Sequence, residues 1–123
     1  MKTLLDSSGW IEYFGGGALA ERFASYVSSS VQLVTPTIVL YEVYKKIKRE
    51  RGEETALLIA GRLSATQVIP LSTSIALLAA DLSLRHGLAM ADAVAYATSR
   101  DQEARLITSD ADLKDLPGVV YVK

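Results

Sequence analysis

Short apolar runs of β-strand character alternate along this chain with longer stretches of helical period, and that alternation constrains the fold more than any other feature. "KTLLD", "VQLVT", "QVIP", "ARLIT" and "VVYV" read as strands. Between them lie helical patterns in "SGWIEYF", "ALAERFASYV", a long stretch entered at Thr35-Pro36 and running to about Gly52, "EETALLIAGRL", "TSIALLAADLSLRH" and Met90 to Arg100, with a helical turn in "DADLKDL". Strands separated by helices pair in parallel, because a parallel connection needs a crossover of a dozen residues or more. The expectation is an α/β fold, a three-layer sandwich around a mainly parallel sheet of four to five strands. Local signals mark the boundaries. Thr35 and Pro36 suit an N-cap and first helical position, Ser72 can cap the helix after it, and Gly87 suits the residue just past a helix end.

Half of the 123 residues are hydrophobic, enough for one domain spanning 1–123 and too few for two. Thirteen Lys and Arg nearly balance fourteen Asp and Glu, which excludes a broadly basic, phosphate-coating surface and limits any nucleic-acid contact to a local patch. The absence of cysteine removes disulfides, thiol chemistry and cysteine-based zinc sites, and fits a reducing compartment. "MKTLLDSSGW" has an acid after two leucines, so no signal-peptide core forms, and no apolar run approaches the roughly 20 residues of a membrane span. A cytoplasmic protein with no membrane association is expected.

Fourteen acids pose the question of which ones local structure fails to explain. Asp92 lies in "GLAMADAVAYATS", with Leu88, Ala89, Ala95 and Tyr96 on its helical face and no basic residue at pairing distance. A first-turn position favoured by the helix dipole is the plain alternative, worth roughly 0.3–1 kcal/mol. Asp81 also sits in an apolar helix, but Arg85 four residues on offers it a surface ion pair. Asp6 ends the first strand, at the carboxyl edge where open α/β sheets bind ligands, although Asp6, Ser7 or Ser8 could simply cap the next helix. Asp110 in "LITSDADL" repeats that arrangement after the fourth strand. Glu42 in "TIVLYEVYKK" has Ile38 and Val39 on one side and Lys45 and Lys46 on the other, so a Glu42–Lys46 pair would explain it alone. Taken as a set, four carboxylates from four elements would repel one another if gathered without a counter-charge. A hard divalent cation, Mg²⁺ or Mn²⁺, resolves the conflict and suits an all-oxygen cluster; His86 is the chain's one histidine.

With those acids in place the chain resembles PIN-domain proteins, and more narrowly the VapC toxin ribonucleases of toxin–antitoxin operons. The resemblance covers essentially the whole chain. It is carried by "LLDSS" (Asp6), "TPTIVLYEVYKK" (Glu42), "GLAMADAVAYAT" (Asp92) and "LITSDADL" (Asp110), in that order. It implies a PIN-like sandwich whose acids converge at the carboxyl edge of the sheet. There Asp6, Glu42, Asp92 and Asp110 would hold Mg²⁺ or Mn²⁺ and cleave RNA phosphodiesters. Ser7 and Thr108 would support them, and Asp112 is either a fifth acid or an N-terminal charge on its turn. It also implies a homodimer and a VapB-like antitoxin docked in a groove bounded by the early helices; Trp10, Tyr13 and Phe14 are core candidates by default, and part of this aromatic group would then line the partner site. Leu113 stands where such proteins often have an aromatic residue, a difference that touches packing.

The run "KKIKRER", Lys45 to Arg51, is the densest basic cluster. Lys45 and Lys46, one turn from Glu42, are its candidates for contacting RNA, against the alternative of a solvated helix end suited to the C-terminal dipole. "FGGG" lacks the Gly-Lys-Ser/Thr of a phosphate-binding loop and reads as a flexible connection. Two rival readings remain. A receiver-like, Mg²⁺-binding signalling domain shares the length and α/β order, but expects paired acids after the first strand and an Asp ending the third, whereas this chain has Asp6 followed by serines and "QVIPLS". A non-catalytic PIN-like module would bind RNA or protein without cleaving.

Overall fold

Five strands pair in parallel throughout: β1 (Lys2–Leu5), β2 (Gln32–Pro36), β3 (Gln67–Ile69), β4 (Arg105–Thr108) and β5 (Val119–Tyr121), in the order β3-β2-β1-β4-β5. The computed structural model describes residues 2–28 and 31–123. Among these described residues six helices connect and cover the strands: α1 (Ser7–Gly15), α2 (Ala20–Ala24), α3 (Thr37–Arg51), α4 (Glu53–Ser64), α5 (Thr73–His86) and α6 (Met90–Asp101). A 3₁₀ turn, Ala111–Leu113, links β4 to β5. The expected three-layer architecture is present. Its strand order differs from the 2-1-3-4-5 order of receiver domains, which removes the signalling-domain reading.

The period-2 alternation of the central strands builds the two cores. Leu4 and Leu106 are neighbours across β1 and β4 and point into the cluster formed with α5 and α6. Their successors Leu5 and Ile107, also paired, point to the opposite face, where α1, α3 and α4 pack. All four are completely buried, each worth roughly 1.5–3 kcal/mol relative to exposure. Val39, Val43 and Ile47 repeat every fourth residue on α3 and give it one buried stripe. α6 is different, with seven consecutive residues buried, Ala93 to Ser99. Its alternating alanines let neighbouring elements approach on every side. Its buried hydroxyls are satisfied within the helix, Thr98 donating to the Val94 carbonyl and Ser99 to that of Tyr96, both at 2.7 Å.

Ser72 caps α5 by accepting from the Ile75 amide at 3.2 Å, and Gly87 closes it in the left-handed conformation at φ 68°. Three local expectations are corrected. Thr35 does not cap α3: it stays in the ladder opposite Val68, fully buried, with its hydroxyl 2.6 Å from that of Thr66, and Pro36 occupies the cap position. The second helix is half the expected length, ending where the Ser25 hydroxyl bonds the Arg22 carbonyl. "FGGG" is a capped turn instead of a loose connection. Gly16 at φ 67° returns its amide to Glu12, whose carboxylate also accepts from the Leu19 amide at 3.0 Å. Among the described residues, no helix is long and apolar enough to cross a membrane.

Candidate active site

In this strand order the chain reverses direction across the sheet between β1 and β4, so the carboxyl ends of these two strands flank the topological switch point. Open α/β sheets bind ligands in that crevice. Asp6 follows β1 directly, and Asp110 lies two residues beyond the end of β4.

Asp6 is buried and is also the N-cap of α1, so the capping and site readings are both true of it. Its Oδ1 accepts from the Gly9 amide at 3.1 Å and the Ser8 hydroxyl at 2.6 Å, and its Oδ2 accepts from Thr108 Oγ1 at 2.5 Å. A carboxylate has about four acceptor positions, so Oδ2 retains one. Thr108, fully buried at the end of β4, also accepts from the Asp110 amide at 2.9 Å, which fixes the two strand-end acids to one another. Ser8 completes this mesh by accepting from the Ser109 amide at 3.2 Å. Burial holds the Asp6 carboxyl above its ordinary range against these hydrogen bonds, and the charge of Asp110 adds to the rise.

Asp92, in the first turn of α6, is half-buried with its pKa pushed up to about 7. Burial is the largest cause; the charge of Asp110, a hydrogen bond to it, and then Asp6 and Glu42 add to it. Glu42, half-buried on α3, is raised first by burial and then by Asp6 and Asp110, while the Ser7 hydroxyl offsets part of this. All four predicted acids therefore act on one another electrostatically. The tightest grouping is Asp92, Asp110 and Asp112, whose nearest carboxylate oxygens all lie within 4.8 Å. Asp112 is exposed, and its amide donates to Asp110 Oδ1 at 2.9 Å. It stands with the acids as well as in the turn. Among the described residues, no ion pair reaches any of these five carboxylates.

The donor chemistry fits a hard divalent cation. Every available ligand is a carboxylate or hydroxyl oxygen, no ion pair reaches these acids among the described residues, and Asp6, Glu42 and Asp92 hold their protons more tightly than usual, first through burial and then through their acidic neighbours. Two ion pairs that the helical spacing allows do not form. Lys46 turns from Glu42 to Glu50 at 2.8 Å, which leaves Glu42 to the site. Asp81 is exposed and, among the described residues, makes no ion pair with Arg85. Reading the sequence missed Ser8, which holds Asp6 while Ser7 serves Glu42; "DSSG" carried both serines without saying which turns inward. It also missed Arg49. With Ser7, Tyr41, Glu42, Lys45 and Lys46, Arg49 lines a groove of about 280 Å³ beside the acids.

A parallel α/β fold with carboxylates at its switch point describes a class, and comparison with known proteins narrows it. The family model described as "PIN domain" matches residues 3–119, and the chain belongs to that family. Among solved structures, it resembles a toxin–antitoxin complex from Klebsiella pneumoniae at 27% identity and TM-score 0.81, covering 96% of this chain and 95% of that one. The sarcin-ricin-loop-cleaving toxin VapC20 of Mycobacterium tuberculosis is similar at 23% identity and TM-score 0.74, covering 89% and 91%. VapBC2 from Rickettsia felis, solved bound to a promoter DNA fragment, matches over 100% of both chains at 14% identity and TM-score 0.77. No curated protein matches the sequence at a significant level.

Proposed function

We propose that this protein is a divalent-cation-dependent endoribonuclease and the toxin half of a VapBC-type toxin–antitoxin pair. The observation that carries the reading is the convergence of Asp6, Glu42, Asp92 and Asp110, with Asp112, at one switch point without a cationic partner among the described residues. Mg²⁺ or Mn²⁺ bound there would activate a water and stabilise charge on an attacked phosphodiester. The chain's own residues supply the positioning. Thr108 and Ser8 hold the Asp6 carboxylate, leaving one acceptor free on Oδ2, and Ser7 orients Glu42. The apolar packing of α6 fixes Asp92 at the start of its buried segment. Lys45 and Lys46 lie one turn from Glu42 and would neutralise RNA phosphates, Lys46 by exchanging its pair with Glu50 for one with the backbone.

Antitoxin binding, pairing of two copies and a cytoplasmic location follow from the resemblance. Trp10 is buried in the core and stacks on Phe14 at 5.6 Å, which leaves the partly exposed Tyr13 and Phe14 as the aromatic edge of α1 that a docked helix would meet. A non-catalytic binding module would have to tolerate these mutually repelling acids for no chemical return. The deciding assay follows cleavage of a total-RNA substrate with Mn²⁺ or Mg²⁺ supplied. The native chain should cut, EDTA should stop it, and Asp6→Asn or Asp92→Asn should lower the rate roughly 100-fold or more. Undiminished cleavage by either folded variant would remove the reading.

A further inference from the structure

Tyr41 is 56% exposed, an unusual exposure for a large aromatic beside a cluster of acids. It stands on the same helix as Glu42 and lines the same groove. Lys45 and Arg49 follow it at four-residue intervals, so Tyr41, Lys45 and Arg49 form one stripe along α3, spaced about 6 Å apart along the axis. The Lys45 ammonium lies 5.4 Å from the Tyr41 ring centroid and donates to its hydroxyl at 3.3 Å, which steadies the ring. Among the described residues Lys45 makes no ion pair, unlike Lys46 and Arg49, which meet Glu50. An exposed ring flanked by an uncompensated cation is the combination that binds single-stranded nucleic acid: a flat face for an unpaired base and a charge for the adjoining phosphate.

We infer that Tyr41 is a stacking platform for one unpaired base of the RNA, with Lys45 holding the backbone phosphate beside it, so that the adjoining phosphodiester is presented to Glu42 and its neighbouring acids. This rests on the ribonuclease reading and assigns to Tyr41 the contact that tells an unpaired base from a paired one, because a base inside a duplex has no free face to offer the ring.

The test is fluorescence anisotropy with a labelled 12-nucleotide single-stranded RNA and a 20-base-pair RNA duplex, in an Asp92→Asn background so that the probes stay intact. Adding Tyr41→Ala should weaken single-strand binding roughly tenfold, within the range for one stacked base. Tyr41→Phe and Tyr41→Trp should remain within about twofold of the parent, and duplex affinity should not change. Tyr41 is exposed, so these variants should keep the fold, checked by circular dichroism. Unchanged single-strand affinity in Tyr41→Ala, an equal loss in Tyr41→Phe, or an equal loss on the duplex would each overturn the stacking role. So would a Tyr41→Ala protein that binds RNA normally but no longer binds a protein partner. If the native chain cleaves RNA while Tyr41→Ala is neutral, only this inference falls. If the native chain neither cleaves nor binds RNA, the ribonuclease reading falls with it.

Discussion

Asp92 occupies a helix's first turn, where the dipole favours its charge by roughly 0.3–1 kcal/mol, yet burial and the acids Asp110, Asp6 and Glu42 push its pKa up to about 7. The opposing effects outweigh the dipole. Its ordinary value is 3.8, so in metal-free protein the folded state binds this proton more tightly than the unfolded chain does. The sign follows from linkage: stability is unaffected below about pH 4 and falls as the pH rises toward and through 7. Screening of a half-exposed group limits the loss to the order of 1 kcal/mol. Urea unfolding of metal-free protein should show this decline, and Asp92→Asn should flatten it and exceed the native chain in stability at pH 8. Stability of the native chain that rises over the same range would contradict the account. That Asp92 is anomalous was legible from its neighbours alone, since no basic residue lies at helical pairing distance. Asp112 was legible as one of two alternatives, fifth acid or turn charge, and it stands as both; the inward turn of Ser8 was not legible, because it depends on where two strands a hundred residues apart end relative to one another.

At the level of elements, α1 has a conflict between propensity and packing. Gly9 lies in its first turn, and a helix gains roughly 1 kcal/mol when glycine becomes alanine. A Cβ at Gly9, however, would meet the Phe23 ring at 2.9 Å and Leu5 at 3.3 Å, and both side chains are fully buried. Overpacking of that kind costs about 1–3 kcal/mol, so Gly9→Ala should lower the melting temperature despite its better helix propensity. A rise in melting temperature would show that α2 moves aside freely. Most elements could be read from hydrophobic period and caps, Ser72 and Gly87 among them. Thr35 could not, since a Thr-Pro step before an apolar helix satisfies the capping rule whether or not the threonine finds another partner. The partner it finds, Thr66, lies beyond the end of α4, directly before β3.

For the whole molecule, the reversal of connection between β1 and β4 brings together residues that the chain separates. β1 contributes Asp6, α3 Glu42, α6 Asp92, and the segment after β4 contributes Asp110 and Asp112. Elements from both faces of the sheet thus meet at one cluster of unneutralised charge. A cation bound there would join them and stabilise the folded state against the unfolded one. Thermal melting with and without Mn²⁺ measures this directly. At roughly 100 times the dissociation constant the gain is about 2.7 kcal/mol, a rise of several degrees for a chain of this size. The account predicts that rise in the native protein and its loss in the Asp92→Asn, Asp110→Asn double variant; a melt of the native chain that does not respond to Mn²⁺, or an equal rise in the double variant, would contradict it.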